Sequence, residues 1–326
     1  MVKYILNRLL FMIPVLLGVI VVVFTINYIS PGDPVITMLG VNATEEAVAE
    51  TRAELGLDQP YVVQLFGYIK GIVTRLDFGT SYVNKKPVFT EIISRFPVTF
   101  KLGVISVLFS IVVGIPLGVI SATRQYSVLD YTATFLSLIG AAMPGFWISL
   151  LLIVVFSLNL GWLPVSGLDS WKGWILPVVA TGITPIATIM RTTRSSMLEV
   201  IRQDYIRTVR AKGQSELLVI VLHALKNALI PVVTVVGVQL GLVFGGVLVI
   251  EAIFGIPGVG MLLKGAISAN NYPLIQGTVL FCAIVVSLMN LLVDLVYAII
   301  DPRIRSQYTW GKKRRTGNKS REAAVS

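Results

Sequence analysis

Long runs without a charged residue alternate with shorter charged segments along this chain. No Asp, Glu, Lys or Arg occurs in residues 9–29, 102–123, 131–168, 173–190, 227–250 and 265–293. A helix needs about 20 mostly apolar residues to cross a bilayer, so each run can span once. Gly161, Pro164 and Gly167 interrupt the longest run near its end, which indicates a loop there. The pattern predicts an all-α membrane protein with six helices, near 9–29, 100–123, 132–160, 173–191, 228–250 and 274–300.

Residues 31–97 separate the first two predicted spans. A connection of this length predicts helices of its own. Asn42, followed by Glu45, is typical of a helix N-cap and its partner three residues later, and Gly56 can end that helix. Pro87 suits the first position of a further helix, which we expect to lie on the membrane surface as an elbow before the second span. The alternative is an ordinary amphipathic loop helix.

The predicted spans contain residues that are unusual inside helices or lipid. Two interpretations account for the prolines and glycines in these spans: kinked helices around a path through the membrane, or ordinary close packing of helices. These are Gly114, Pro116, Gly118, Pro144, Gly145, Pro177, Gly182 and Pro185. Asp294 falls inside the last predicted span, where an acid marks either a functional site or a structural hydrogen bond. Both interpretations stay open here.

Positive charge is unevenly distributed between the predicted loops. The chain carries 27 Lys and Arg, a net charge of +10, 13% charged residues and a mean hydropathy of +0.82. If the N-terminus is cytoplasmic, 18 of these Lys and Arg flank the spans on the cytoplasmic side, as the positive-inside rule requires. We therefore expect a cell-membrane protein with both termini inside and residues 31–97 outside. The basic charge then needs no nucleic-acid partner.

The segment 191–227, between the fourth and fifth predicted spans, carries seven Lys and Arg against three acids. Gly213 follows as a helix end, and Ser215 can cap a second helix over 216–229. Such a short amphipathic helix suits a groove on a soluble partner, although a helix lying on lipid headgroups is the alternative. We expect one helical face to hold Met197, Leu198, Ile201, Tyr205 and Val209.

Sequence signatures of enzymes are missing. The chain has no G-x-x-x-x-G-K-[ST] phosphate loop, no H-E-x-x-H and no G-x-S-x-G. Its single histidine, His223, lacks a Cys/His cluster and is expected on a helix surface. Its single cysteine, Cys282, cannot form a disulfide within the chain. We therefore expect no catalytic site, no metal and no cofactor. A transporter of this kind uses a gradient, acts as a passive pore or depends on a separate ATPase.

Several short motifs occur in an order that resembles one family. The chain is similar to the B-type permease subunits of bacterial ATP-binding-cassette (ABC) importers for dipeptides, oligopeptides, glutathione and nickel. The similarity covers almost the whole length. Its motifs are SPGDP (30–34), LGLDQP (55–60), DFGTS (77–81), FPVTFKLG (96–103), RTTRSSMLEV (191–200), DYIRTVRAKG (204–213), KNALIPVVT (226–234), EAIFGIPGVG (251–260), NYPLIQG (271–277) and DPRIR (301–305).

The resemblance implies a type I ABC importer permease fold and a coupling helix that binds the ATPase. Arg207, Thr208 and Val209 would occupy the family's EAA positions, from which this chain departs in sequence, and Gly213 its glycine. The residues expected at the ATPase contact are Asp204, Tyr205, Arg207, Thr208, Arg210, Ala211 and Gly213. The implied partners are a homologous second permease, two cytoplasmic ATPase subunits, an extracytoplasmic solute-binding protein and the lipid bilayer.

The chain is expected to divide into three parts. Residues 1–97 hold the first span and the outer insert, 98–303 the five-helix permease core, and 304–326 a basic cytoplasmic tail expected to be disordered. The expected function is the translocation path for di- and oligopeptides. Nickel, glutathione or another small solute is the alternative within the family. A gradient-driven secondary carrier is the alternative from another class and requires a coupling acid or histidine near mid-membrane; a membrane scaffold ranks third.

Overall fold

The computed structural model describes residues 2–40 and 42–300, with side chains over 5–40 and 42–295. The predicted tail, 304–326, lies outside the described residues. Two π-helical segments, Ile153–Asn159 and Val219–Ala224, continue α7 and join α10 to α11. The α-helices are α1 Val2–Ile29, α2 Pro34–Leu39, α3 Glu45–Glu54, α4 Tyr61–Arg75, α5 Val88–Thr123, α6 Val128–Ala142, α7 Gly145–Leu152, α8 Lys172–Ile201, α9 Asp204–Ala211, α10 Glu216–Leu218, α11 Leu225–Phe254, α12 Val259–Ser268 and α13 Tyr272–Ile300.

Five helical segments of the described chain are long and apolar enough to cross a membrane. A sixth candidate is the pair formed by α6 with α7 and its π-helical extension, which bends by 110°. Counting this pair as one span gives the six predicted spans, and the all-α polytopic fold is confirmed. The five segments are Ile5–Ile29, Val88–Thr123, Lys172–Ile201, Glu216–Phe254 and Tyr272–Leu295.

The third predicted span is not one straight helix over 132–160. It ends at Ala142, and Met143 adopts an extended conformation with φ −83° and ψ 130°. The ring of Pro144 disfavours helical geometry at the preceding residue, which explains the break. A new helix then begins at Gly145, where the backbone N–H of Trp147 donates to the Pro144 carbonyl at 3.0 Å.

The elbow predicted before the second span is wrong. Helix α5 continues for 36 residues from Val88, a length of about 54 Å, whereas the hydrocarbon core is about 30 Å thick. Val88 and Ile92 are fully buried and pack with Phe78 in the protein core. The first turns of α5 therefore continue directly into the span, with Val88 and Ile92 facing the protein core.

Segment 31–97 contains three helices before α5, namely α2, α3 and α4, as its length predicted. The expected N-cap at Asn42 is wrong, because the Thr44 hydroxyl instead accepts the N–H of Ala47 at 3.3 Å. Gly56 lies just past the end of α3 with φ +65°, as a helix-ending glycine should. An ion pair between Asp33, at the N-cap of α2, and Arg52 ties α2 to α3.

Close packing accounts for the glycines inside α5 and α8. A Cβ added at Gly118 would lie 2.5 Å from the Cβ of Thr193, and one at Gly114 would lie 3.0 Å from Ile189. The hydroxyl of Ser110 donates to the carbonyl of Gly182 at 3.1 Å across the same interface. Both helices also continue through their prolines. Of the two interpretations left open, the structure favours packing at these glycines.

Buried and partly buried acids link the ends of the spans. Asp294 forms an ion pair with Arg8 at 3.0 Å, which ties α13 to α1 and favours a structural role. Glu251, which is fully buried at the end of α11, accepts the N–H of Gly260 at 2.7 Å. The Thr99 hydroxyl accepts the neighbouring N–H, that of Val259, at 2.9 Å. Side chains of α11 and α5 thus satisfy the first N–H groups of α12.

Candidate functional site

Helix α9 presents most of its surface outward. All seven residues predicted to contact the ATPase are exposed; they are residues 204, 205, 207, 208, 210, 211 and 213. Ile206 is fully buried, and Val209 is partly buried. The structure therefore brings the predicted residues together on one helix and the turn that follows it. Apolar side chains on the opposite side of the helix are buried against the rest of the protein.

The buried side of α9 packs into an apolar cluster shared by several helices. The prediction that one continuous helical face runs from Met197 through Tyr205 to Val209 is wrong. Helix α8 ends at Ile201, and Gln203 is extended, with φ −71° and ψ 148°. This break shifts the register so that Ile206 faces inward and Tyr205 stays 41% exposed. We call this group the α9 cluster; its buried members are Ala122, Met197, Ile206, Val219, Ala224 and Ala228.

A glycine ends the segment that contains α9. Gly213 has φ +78°, and its N–H donates to the carbonyl of Arg210 at 3.0 Å. No described atom beyond its chain neighbours would lie within 4 Å of a Cβ added at Gly213. The position thus requires the left-handed backbone that glycine adopts most easily, while leaving room for a side chain.

Polar contacts hold α9 against the start of the next span. The Arg210 guanidinium donates to both carboxylate oxygens of Glu216, at 3.0 Å from Nε and 2.6 Å from Nη2. This hydrogen bonding raises the pKa of Arg210. The Asn227 amide donates to the hydroxyl of Tyr205 at 2.7 Å. The helix is therefore fixed by contacts at both its first and its last turn.

A buried ion pair, which no pattern in the sequence predicted, lies beside this surface. Asp130 is 2% exposed and accepts hydrogen bonds from Nε and Nη2 of Arg194 at 2.7 and 2.8 Å. It also accepts from the hydroxyl of Ser121 and from the N–H of Tyr126. The pair joins the end of α5, the start of α6 and α8. Ser127-x-x-Asp130 is a recognisable capping pattern, but it gives no indication of the arginine partner.

Groups that could bind a metal are not clustered in the described part of the chain. No set of three or more His, Cys, Asp or Glu side chains is arranged for a metal there. His223 lies on the helix surface as predicted, with Nε2 2.9 Å from Oε1 of Gln214. Cys282 is a partly buried free thiol.

Comparisons with known proteins identify the family. Residues 114–306 match the binding-protein-dependent transport system inner membrane component family, and residues 1–103 match the N-terminal family of such membrane components. The chain is 43% identical over 333 positions to the dipeptide transport system permease protein of Alkalihalophilus pseudofirmus, covering 94% of this chain and 100% of that protein. It is 42% identical over 305 positions to the glutathione transport system permease protein of Salmonella typhi, covering 94% and 99%.

Solved structures show the same fold at lower sequence identity. The MetNI methionine ABC transporter, in an inward-facing conformation, superposes with a TM-score of 0.53 at 19% identity, over 65% of this chain and 97% of that one. An amino acid ABC transporter solved with histidines gives 0.51 at 15% identity, over 66% and 94%.

The fold and the matched regions define a polytopic membrane component of an ABC importer. The chain belongs to the binding-protein-dependent transport system inner membrane component family. It is therefore a multi-pass permease subunit, and the family resemblance read from the motifs is confirmed.

Proposed function

We propose that this permease forms part of the membrane path by which short peptides are taken up. The observation that carries the proposal is 43% identity over nearly the full length to a dipeptide permease. A second dipeptide permease, from Escherichia coli K12, is 40% identical over 94% of this chain and 99% of its own. Glutathione is the second candidate substrate, because relatives named for its transport are 42% identical.

The proposal includes partners that supply energy and substrate. Two cytoplasmic ATPase subunits hydrolyse ATP, a second permease completes the path, and an extracytoplasmic binding protein delivers the peptide. The exposed face of α9 is the proposed ATPase contact, through Asp204, Tyr205, Arg207, Thr208, Arg210, Ala211 and Gly213. Support comes from their common exposure on and just after a helix whose Ile206 is buried in the α9 cluster.

The packing of the α9 cluster gives this contact a mechanical consequence. Ile206 packs in one group with Met197 of α8 and Ala228 of α11. Closely packed interiors transmit displacement because they have little free volume. When the ATPase subunits close on ATP and displace α9, α8 and α11 must move with it. The path then alternates between outward-facing and inward-facing states.

Asp294 gives no support to the alternative of a gradient-driven carrier. Such a carrier needs a titratable side chain that is free to exchange ions near mid-membrane. The candidate from sequence, Asp294, instead forms an ion pair with Arg8.

Reconstitution tests the proposed function. We expect the purified chain alone to show no ATP hydrolysis, because it has no phosphate-binding loop. The complete transporter in proteoliposomes should hydrolyse ATP and accumulate a labelled dipeptide only when the binding protein is present. Excess glutathione is added as a competitor, because its effect on uptake of the labelled dipeptide distinguishes the two candidate substrates. ATP hydrolysis by the contaminant-free chain, or dipeptide uptake without any ATPase subunit, would contradict the proposal.

Cysteine labelling tests the proposed orientation in the membrane. In a Cys282→Ser background, Val83→Cys places a thiol in the insert at a position 62% exposed, and Ser215→Cys places one at an exposed position after α9. An impermeant maleimide added to intact cells should label position 83 and leave position 215 unlabelled until the membrane is opened. The reverse pattern would reject the orientation derived from the charges.

A further inference from the structure

A strained turn lies next to α9. Residues 124–127 connect α5 to α6, and within them Tyr126 has φ +64°. A residue with a side chain rarely adopts this backbone, and it persists only where surrounding contacts fix it, most often at functional sites. The ring of Tyr126 is nevertheless 70% exposed, so its own packing does not hold the turn.

Contacts from neighbouring helices fix this turn. The N–H of Tyr126 donates to Oδ2 of Asp130 at 3.0 Å, and Arg194 holds that carboxylate in place from α8. Nη2 of Arg202 donates to Oε1 of Gln125 at 3.4 Å. The buried ion pair therefore fixes the backbone position from which the exposed side chain of Tyr126 projects.

The turn and α9 form one continuous surface. Arg202 lies two residues before the start of α9, so its contact with Gln125 places the turn beside the first turn of that helix. Ala122, at the end of α5, and Ile206 of α9 are members of the α9 cluster. A soluble subunit that reaches α9 is consequently within reach of the ring of Tyr126.

We propose that Tyr126 is a second contact for the ATPase subunit that binds α9; this inference rests on the proposed function. The exposed guanidinium groups of Arg124 and Arg202 flank the turn, so the matching surface of the partner carries acidic side chains around an apolar recess for the ring. A fixed, strained backbone favours a folded partner over lipid headgroups. Lipid is fluid and gains nothing from one fixed backbone position, although tyrosine is common at membrane interfaces.

Photocrosslinking in the complete purified transporter tests the contact. p-Benzoylphenylalanine is placed at position 126, at Thr208 of α9 as a reference, and at Tyr131 as a control. Tyr131 is 62% exposed on α6, five residues after Tyr126. We expect the ATPase subunit, identified by mass spectrometry, to be captured from 126 and 208 and not from 131. Capture from 208 but only lipid adducts from 126 overturns this inference alone. If the ATPase subunit is captured from neither 126 nor 208, the proposed ATPase contact of α9 is overturned as well.

A substitution series separates the ring from the backbone. Tyr126→Gly removes the ring and adopts positive φ without strain, whereas Tyr126→Phe keeps the ring. We expect the apparent Kd of the ATPase subunit for the permease pair to rise about tenfold in the glycine variant, the size typical of truncating an interfacial tyrosine. The phenylalanine variant should stay near wild type. Wild-type affinity in Tyr126→Gly would show that the ring makes no contact.

Discussion

Replacing Arg194 with Ala is expected to destabilise the folded permease by about 3–5 kcal/mol, the range for breaking a buried ion pair. The substitution leaves the carboxylate of Asp130, whose side chain is 3% exposed, without its counter-ion. The hydroxyl of Ser121 and the N–H of Tyr126 still donate to it, but neither carries a charge. The loss should appear as a lower midpoint when the purified protein is unfolded by SDS in mixed micelles.

Arg210→Ala is the matched control for this prediction. Arg210 and Glu216 also form a two-point arginine–carboxylate contact, but their side chains are 37% and 57% exposed. Solvent screens such a pair, and its removal should cost about 0–1 kcal/mol. Equal destabilisation by the two variants would show that burial does not distinguish these ion pairs. A neutral Arg194→Ala would show that Asp130 does not need its partner.

The sequence was most informative for features that depend only on residues close together in the chain. The charge-free runs locate the spans because lipid excludes charges over about 20 residues of helix. The basic segment 191–227 indicates an exposed helix, and Gly213 indicates where it ends. These features depend on neighbours in the chain, so they can be read without knowledge of tertiary contacts.

Features that depend on tertiary contacts were missed or misplaced. Asp130 and Arg194 are 64 residues apart in the chain, and no local pattern pairs them. The elbow prediction failed because Val88 and Ile92 pack against the protein core, which an amphipathic pattern cannot distinguish from lipid. Ile206 faces inward because two residues separate α8 from α9. Helix boundaries predicted from sequence are uncertain by about two residues, so this change of face could not be predicted.

The second large effect is expected at Gly213, where Val should reduce peptide uptake about tenfold or more. A β-branched residue at φ +78° costs roughly 1–2 kcal/mol, and the chain avoids this cost by changing the backbone after α9. A Cβ at this position meets no described atom within 4 Å, so the side chain itself fits. The spans lie outside the altered turn, and membrane abundance should therefore remain normal. Stimulation of ATP hydrolysis by loaded binding protein should weaken together with uptake.

Gly213→Asn is the control that isolates the backbone. Asn is close to Val in size but tolerates the left-handed conformation, because its short polar side chain can hydrogen-bond locally. We expect Gly213→Asn to retain most uptake and most ATPase stimulation in the reconstituted transporter, while Gly213→Val loses both. If the two variants transport equally well, the geometry of the turn is not important for coupling, and α9 is better described as a helix lying on lipid headgroups. If both lose uptake equally, the exposed surface at Gly213 tolerates no side chain, and a partner must approach its Cα directly.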